Sequence, residues 1–326
     1  MTKVDLVTGF LGAGKTTFLL DYARNLISRG ERIGIIENDY GAINVDLLLL
    51  QQELGDRCRL EMVIGGDPDC HRRRLKTKLI AMGIDRYDRV LVEPSGIFDV
   101  DEFLDLLYEE PLERMLSPEN VIAIVDAGAT LLRTKAGGET DSEESRYILA
   151  EQLTKAGCVV LSKAEDLSEK ETGQVTEYLN QCLTEVGCVR SLTSGDILVK
   201  QRNGFSEGDF ERLLHAGSRD YAYVKKTYMT EGDFQSVFFF HAELPEEPVE
   251  SLLQRIFADP GCGRLSRIKG FVRKSDETWL LINATREKVE VRECTVGQPV
   301  IIAIGESLDQ KRIGSYWKTY ENEYRG

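Results

Sequence analysis

The 326-residue chain has no C-x-x-C pair. Its seven cysteines are scattered and odd in number, so neither a four-thiolate zinc knuckle nor a disulfide framework is indicated. A reducing compartment fits this usage. No segment approaches the ~18 uncharged apolar residues of a membrane span. The chain opens on VDLVTG, a strand-like run, where a secretory leader would carry a charged start and a long apolar stretch. These features read as cytoplasmic and unanchored, with no membrane partner. Positive charge is also scarce: 41 Lys and Arg face 55 Asp and Glu, for a net charge of −14. That balance opposes general attraction to polyanions, and no nucleic-acid partner is expected. What the chain does have is length and apolar content. At 42% hydrophobic residues over a length where one core usually stops growing, two domains are expected.

The first chemistry-bearing stretch is TGFLGAGKTTFLLDYARNLISRG, directly behind the VDLV run. Gly9, Gly14, Lys15 and Thr16 fit G-x-x-x-x-G-K-[ST], and Phe18, Leu19, Tyr22, Leu26 and Ile27 follow at helical spacing. Strand, glycine loop and helix are the context a phosphate-binding loop requires. By chance alone, a chain of this length shows the four-position pattern roughly once or twice in a hundred. Gly12, Ala13 and Gly14 would wrap backbone amides around phosphate oxygens, with the helix N-terminus adding positive potential. Lys15 would reach the β and γ phosphates, Thr16 would offer its hydroxyl to Mg²⁺, and Thr17 completes the nucleotide-binding set.

Two further elements suit a nucleotide site. DRVLVEPSG, residues 88–96, is an apolar strand ending in a carboxylate and a glycine. Glu93 would hold the Mg²⁺ shell or orient water, and the Gly96 amide would touch the γ phosphate; alone, a strand-end Glu is more often a solvated turn residue. CVVLSKAEDL ends another apolar strand in Ser162, Lys163, Ala164 and Glu165. This spacing resembles the N-K-x-D guanine reader, with Asn replaced by Ser and Asp by Glu. An acid at that place accepts from guanine N1 and N2 while the lysine stem packs on the base, which favours GTP over ATP.

The stretch IGGDPDCHRRR, residues 64–74, admits two readings. Asp67, Asp69, Cys70 and His71 form a donor set for a transition metal. Alternatively, Pro68 stiffens a turn and Asp69 caps a helix starting near His71. The basic run Arg72, Arg73, Arg74, Lys76 and Lys78 lies on a segment whose Leu75, Leu79, Ile80 and Met82 make an apolar helix face. Those charges read first as a solvated face, with docking of an acidic partner as the sharper alternative.

Taken in order, GFLGAGKTT, ENDYGAINVD (37–46), GGDPDC, VEPSG, the Glu151-Gln152 pair ahead of CVVLSKAEDL, and the late IKGFV resemble the CobW-like P-loop GTPases. That family is associated with metal delivery and metallocofactor assembly. The resemblance implies that the segment after the second strand is the first switch, with Glu37, Asp39 and Asp46 near Mg²⁺ or a second metal. Asp39 then shares with Glu93 the role of orienting water. The family's usual Cys-x-Cys-Cys stands here as Asp67-Pro68-Asp69-Cys70, keeping only the last thiol. A mixed set of carboxylates and one thiolate, with His71 and Glu37 adjoining, suits Zn²⁺, Co²⁺ or Ni²⁺ less selectively than thiolates alone.

Apolar strands near 3–8, 32–36, 60–64, 88–93, 120–125 and 157–161 alternate with helical stretches. This βα rhythm predicts an α/β domain with a mostly parallel P-loop NTPase sheet over residues 1–220. LLLL at 47–50 reads as core or a short buried helix, and AGGETDSEES at 136–145 as a solvated excursion. From 233 to 326 the pattern shifts to SVFFFHAEL, RLSRIKGFV, TWLLINA, KVEVREC and PVIIAIG with two amphipathic helices. A second, smaller α+β domain resembling the family's C-terminal domain is expected there. The expected protein is a slow, Mg-dependent GTPase binding GTP and GDP and serving a client metalloprotein or cofactor-dependent enzyme. Two rivals are a nucleotide-gated adaptor without a transition metal and a small-molecule kinase, which predicts ATP preference.

Overall fold

The structure is a computed structural model. It describes the chain except residues 11, 40–44, 65–67, 95–98, 136–142, 226–233, 244–247, 276–277, 287, 296 and 318–326, and except the side chains of 38–39, 45–46, 48, 64, 68–71, 135 and 234–236. Two compact units are present. One comprises Met1–Tyr40 with Leu50–Tyr228, the other Gly41–Leu49 with Met229–Gly326. Among the described residues no helix is long and apolar enough to cross a membrane.

Elements of the first part of the chain run β1 (Thr2–Thr8), α1 (Lys15–Ser28), β2 (Ile33–Asp39), α2 (Val45–Leu54), β3 (Arg59–Ile64), α3 (Pro68–Ile84) and β4 (Arg89–Glu93). They continue through α4 (Val100–Leu107), β5 (Leu116–Asp126), α5 (Ala127–Lys135), α6 (Glu143–Lys155), β6 (Cys158–Ser162), α7 (Glu169–Glu185), β7 (Ile197–Val199) and α8 (Glu207–Leu214). Seven strands form one sheet in the order β3-β2-β4-β1-β5-β6-β7, and every pair is parallel. The α/β sheet expected from the strand rhythm is therefore present. β1, at the centre, buries every residue but Lys3, and β4 and β6 are buried throughout. Such continuous apolar runs are what a sheet covered on both faces demands. β7 was not anticipated, since three residues carry no period.

Helix α1 shows how the local sequence docks an element. Phe18, Leu19, Tyr22, Ala23 and Leu26 recur at helical spacing and are all buried, packing on Ile33, Ile35, Leu91, Ile122, Ile124 and Val160 of the sheet. α3 does the same with Leu75, Leu79 and Met82, as its apolar spacing predicts. β5 begins earlier than its apolar run. Pro118 pairs with Val4 and the register to β1 then shifts before Asp5, a bulge at a place where proline has no N–H to give.

The same sheet carries a buried polar knot. Arg89 Nη1 reaches the two Asp5 carboxylate oxygens at 2.8 and 2.6 Å, Tyr22 donates its hydroxyl to Asp5 at 2.8 Å, and Asn120 Nδ2 donates to Asp5 at 2.9 Å. Asn120 also accepts from Gly217 N at 2.8 Å, which ties the chain leaving α8 to β5. Arg89 and Asp5 are 2% and 0% exposed, so each pays for its desolvation only because the other is there.

The second unit is an antiparallel sheet in the order β11-β10-β9-β12-β8, made from β8 (Phe234–Phe240), β9 (Arg264–Arg273), β10 (Trp279–Thr285), β11 (Val289–Cys294) and β12 (Val300–Glu306). Helices α9 (Val249–Ala258) and α10 (Gln310–Gly314) accompany it. Leu252, Leu253 and Ile256 of α9 share a core with Phe239, Ile268, Val272, Ile282, Ile301 and Ala303 of one sheet face. The Gly270 of IKGFV has φ +150°, and a Cβ there would stand 2.1 Å from the Val300 carbonyl. The glycine allows β9 and β12 to close on each other. Cys262 is fully buried, and its Sγ lies 3.7 Å from Asp259.

Candidate nucleotide and metal site

Parallel pairing brings the C-terminal ends of β1, β2, β4, β5 and β6 to one edge of the sheet, the edge where α/β folds bind their ligands. The glycine loop follows β1 there. Gly12 and Gly14 have φ +79° and +92°, left-handed values that favour glycine, and Gly14 is the N-cap of α1. Lys15 and Thr16 are the first residues of that helix. Lys15 is buried, donates to the Gly9 carbonyl at 3.0 Å and stands 4.0 Å from Glu93 Oε1. Thr16 Oγ1 lies 3.3 Å from the same Glu93 oxygen. Lys15, Thr16 and Glu93, 77 positions downstream of Thr16, thus meet as their motifs require. Thr17 is exposed on the outer side of the first turn, and Ala13 is buried at 2%.

The donors at this end are a hydroxyl and a carboxylate, both hard oxygens. With phosphate oxygens they fit the chemistry of Mg²⁺, which takes few protein ligands and keeps its waters. Glu37 is the register partner of Glu93 in the β2–β4 pair. Both carboxylates are buried, at 3% and 5% exposure, so β2 sets a second acid beside the one next to Thr16. Asp39 closes β2, but its side chain lies outside the described residues. Gly96 lies outside them as well.

The metal turn divides similarly. Helix α3 starts at Pro68, three residues before the expected start near His71. Asp69 therefore belongs to the first helical turn and is not the cap, which corrects the capping alternative. Pro68 explains the early start, because its fixed φ suits a first helical position where no N–H is needed. Asp67 and the side chains of Asp69, Cys70 and His71 lie outside the described residues. Among the described residues no group of three or more His, Cys, Asp or Glu is placed to hold a metal. The basic run that follows is largely paired. Arg72 reaches Glu109 at 2.5 Å and Glu102 at 3.4 Å, Lys76 reaches Glu109 at 2.7 Å, and Lys78 reaches Glu61 at 2.6 Å. This is a solvated helix face tied to its neighbours.

At the end of β6, Ser162 Oγ lies 2.5 Å from the Ala13 carbonyl and 3.1 Å from the Val125 carbonyl. Lys163 has φ +51°, and its Nζ donates to the Gly12 carbonyl at 2.9 Å and to Asp126 Oδ2 at 2.5 Å. Glu165 is exposed on the turn after β6. Ser162 and Lys163 thus both grip the glycine loop. Asp126 was missed in the sequence. Its only signal was its position as the last residue of the VIAIVD strand.

A second missed group sits at the start of α4, just after the segment containing Gly96. Asp99 caps that helix, accepting from Asp101 N at 2.8 Å and Glu102 N at 3.1 Å, and takes Lys225 Nζ at 2.8 Å. Glu151 of α6, buried beside it, shares a hydrogen bond with Asp99 and one of 3.1 Å with Tyr223 OH. Tyr223 also reaches Asp101 at 2.9 Å, and Lys155 pairs with Asp101 at 3.1 Å. Burial, with the Asp99 charge second, pushes the Glu151 carboxyl up to about 8. Asp99 is held below its ordinary value, because the Lys225 and helix-cap hydrogen bonds outweigh its burial. Glu151 is then the partner that keeps its proton at neutral pH.

The family of the CobW/HypB/UreG nucleotide-binding domain matches residues 3–189. The zinc chaperone YjiA of Escherichia coli is 29% identical over 220 residues, 62% of each chain. The zinc chaperone CobW of Pseudomonas aeruginosa is 24% identical, over 97% of this chain and 90% of its own. The zinc-regulated GTPase metalloprotein activator 1 of Dictyostelium discoideum is 25% identical over 59% of this chain and 46% of its own. The chain therefore spans less than two thirds of two of these relatives. A crystal structure of Zn(II)-bound YjiA GTPase from E. coli matches over 97% of both chains at 16% identity, with a TM-score of 0.40. With more than half of its length matched, and with the glycine loop and its acidic partner assembled as described, the chain belongs to the CobW/HypB/UreG family of P-loop GTPases.

Proposed function

We propose that the protein is a slow GTPase of the cytoplasm that binds zinc as cargo beside its switch segments and passes it to a client metalloprotein or cofactor-dependent enzyme. The observation that carries this reading is the pairing of Glu37 with Glu93, two buried acids in register on adjacent strands. One touches the Thr16 hydroxyl, and the other lies on the strand that leads into the proposed first switch. A change at the phosphate end is thereby transmitted to the strand that supplies a cargo ligand.

In this account the amides of Gly12, Ala13 and Gly14 bind phosphate oxygens, and Lys15 leaves the Gly9 carbonyl to reach the β and γ phosphates. Thr16 and Glu93 would hold Mg²⁺, which supplies charge neutralisation across the phosphates. Glu93 or Asp39 orients the attacking water, and the Gly96 amide senses the γ phosphate. Hydrolysis then rests on positioning and electrostatics more than on covalent chemistry. Ser162, Lys163 and Glu165 hold the base, with Glu165 as acceptor for guanine N1 and N2. Cargo ligands come from Glu37, Asp67, Asp69, Cys70 and His71. Zinc is preferred to Co²⁺ or Ni²⁺ because the curated relatives are named zinc chaperones. Hydrolysis assays over GTP, ATP, CTP and UTP, together with metal analysis of the purified protein, test this. GTP preference with bound zinc supports it. GTP preference without any transition metal on supplementation would make the protein a nucleotide-gated adaptor, and ATP preference with an acceptor would make it a kinase.

A further inference from the structure

Asp126 belongs to neither the phosphate loop nor the base motif, yet it joins both. It is the last residue of β5 and the register partner of Ser162, the last residue of β6, so the two strand ends lie side by side. One carboxylate oxygen, Oδ1, accepts from Ala129 N at 2.9 Å and closes the first turn of α5. The other, Oδ2, takes the Lys163 ammonium at 2.5 Å. The same ammonium donates to the Gly12 carbonyl at 2.9 Å, while the neighbouring Ser162 hydroxyl bridges the carbonyls of Ala13 and Val125. Three segments far apart in sequence are thus fastened at one ammonium group.

Lys163 is also strained. A left-handed backbone is unfavourable for a residue with a Cβ, and it persists only where the surroundings over-determine it. An ordinary surface ion pair would not do this, because it gives back in side-chain entropy most of what it gains. Here Asp126 is fixed beforehand by its helix cap, so the pairing costs little freedom beyond that of the lysine side chain.

We infer that Asp126 is a positioning residue of the nucleotide site, which acts by holding the Lys163 side chain across the Gly12 carbonyl so that its stem forms the wall on which the base packs. This rests on the reading of Lys163 as a base-side residue. A packing wall does not read the base edge, so its loss lowers affinity for guanine and adenine nucleotides alike. Loss of Glu165 changes the ratio between them.

The test is a double-mutant cycle on the full chain with GDP, ADP and GTP. Asp126→Asn keeps an Oδ1 acceptor for the Ala129 amide and removes the charge that holds Lys163, so the cap and the fold are preserved. The expected result is a rise of about five- to tenfold in the Kd for GDP and in the KM for GTP, with kcat at saturation and the GDP-to-ADP ratio unmoved. Lys163→Ala should weaken GDP at least as much, and Asp126→Asn added to it should weaken GDP no further. If Lys163→Ala weakens GDP but Asp126→Asn does not, the inference is overturned while the base-side reading of Lys163 stands. If Asp126→Asn weakens GDP equally with and without Lys163, Asp126 acts by another route and the inference is also overturned. If Lys163→Ala leaves GDP affinity intact, the base-side reading fails first and takes the inference with it.

Discussion

The glycine loop after β1 and the S-K-A-E turn after β6 are held by different means. In the glycine loop the backbone sets the shape: Gly12 and Gly14 take left-handed φ values and α1 begins at Lys15. In the turn after β6, side chains hold other segments' backbone in place, through Ser162 to Ala13 and through Lys163 to Gly12, with Asp126 behind. A backbone-built site demands a strict local motif, because each φ must be right. A turn held through side chains draws its partners from other strands, as Ser162 and Lys163 do from the glycine loop and Asp126.

The comparison is broken most severely at the phosphate end. Lys15→Ala should lower kcat by at least about 100-fold, the scale of losing one charged donor to developing phosphate charge. Circular dichroism should show an unchanged fold, and turnover equal to the parent would remove the P-loop assignment. At the base end, Glu165→Ala should relax discrimination against ATP by about tenfold or more, since guanine N1 and N2 lose their acceptor. Competition binding with unchanged selectivity would move the base reader to another residue.

A third, smaller effect is expected at the start of α4. Glu151 holds its proton in the folded protein up to about pH 8, against an ordinary value of 4.5. Between those values the unfolded chain releases a proton that the folded chain keeps, so this group's contribution is complete below pH 4.5 and is lost as pH rises to about 8. The slope should reach about 1.4 kcal/mol per pH unit at most. Urea unfolding of Glu151→Gln across this range should lack that slope, and a parent-like slope would place the proton elsewhere. The smallest effect is expected from removing residues 229–326. A chain ending at Tyr228 should fold and bind GDP as the parent does, because the seven-stranded sheet and the nucleotide motifs all lie before that point. Loss of circular dichroism signal in that shortened chain would make residues 229–326 part of the same core.

Much of this was legible in the sequence where a single segment carries the signal. The glycine loop and the apolar spacing of α1 predicted the loop, the helix and the buried face together, since all three depend on residues within a few positions of one another. The strand rhythm likewise predicted a mostly parallel sheet. What stayed hidden depends on distance. Asp126 and Lys163 are 37 positions apart and meet only because β5 and β6 are parallel neighbours ending together. Glu151 stands out in the sequence only beside Gln152, while its raised proton affinity arises first from burial in the fold and then from the Asp99 charge at the start of α4. The early start of α3 was missed for a local reason: Pro68 was read as a turn residue, although the same fixed φ opens a helix.

The central claim is that nucleotide state controls a zinc site at the turn around Cys70. Calorimetric titration of Zn²⁺ into the parent and Cys70→Ser proteins, each with GDP and with a non-hydrolysable GTP analogue, tests it directly. Cys70 must bind as thiolate, so the parent is titrated at a fixed pH near 7.5 and repeated lower, where its binding should weaken. The account predicts that the parent binds Zn²⁺ with different affinity in the two nucleotide states, and that Cys70→Ser loses about tenfold or more in the tighter one. Equal zinc affinity of parent and Cys70→Ser in both nucleotide states would contradict it.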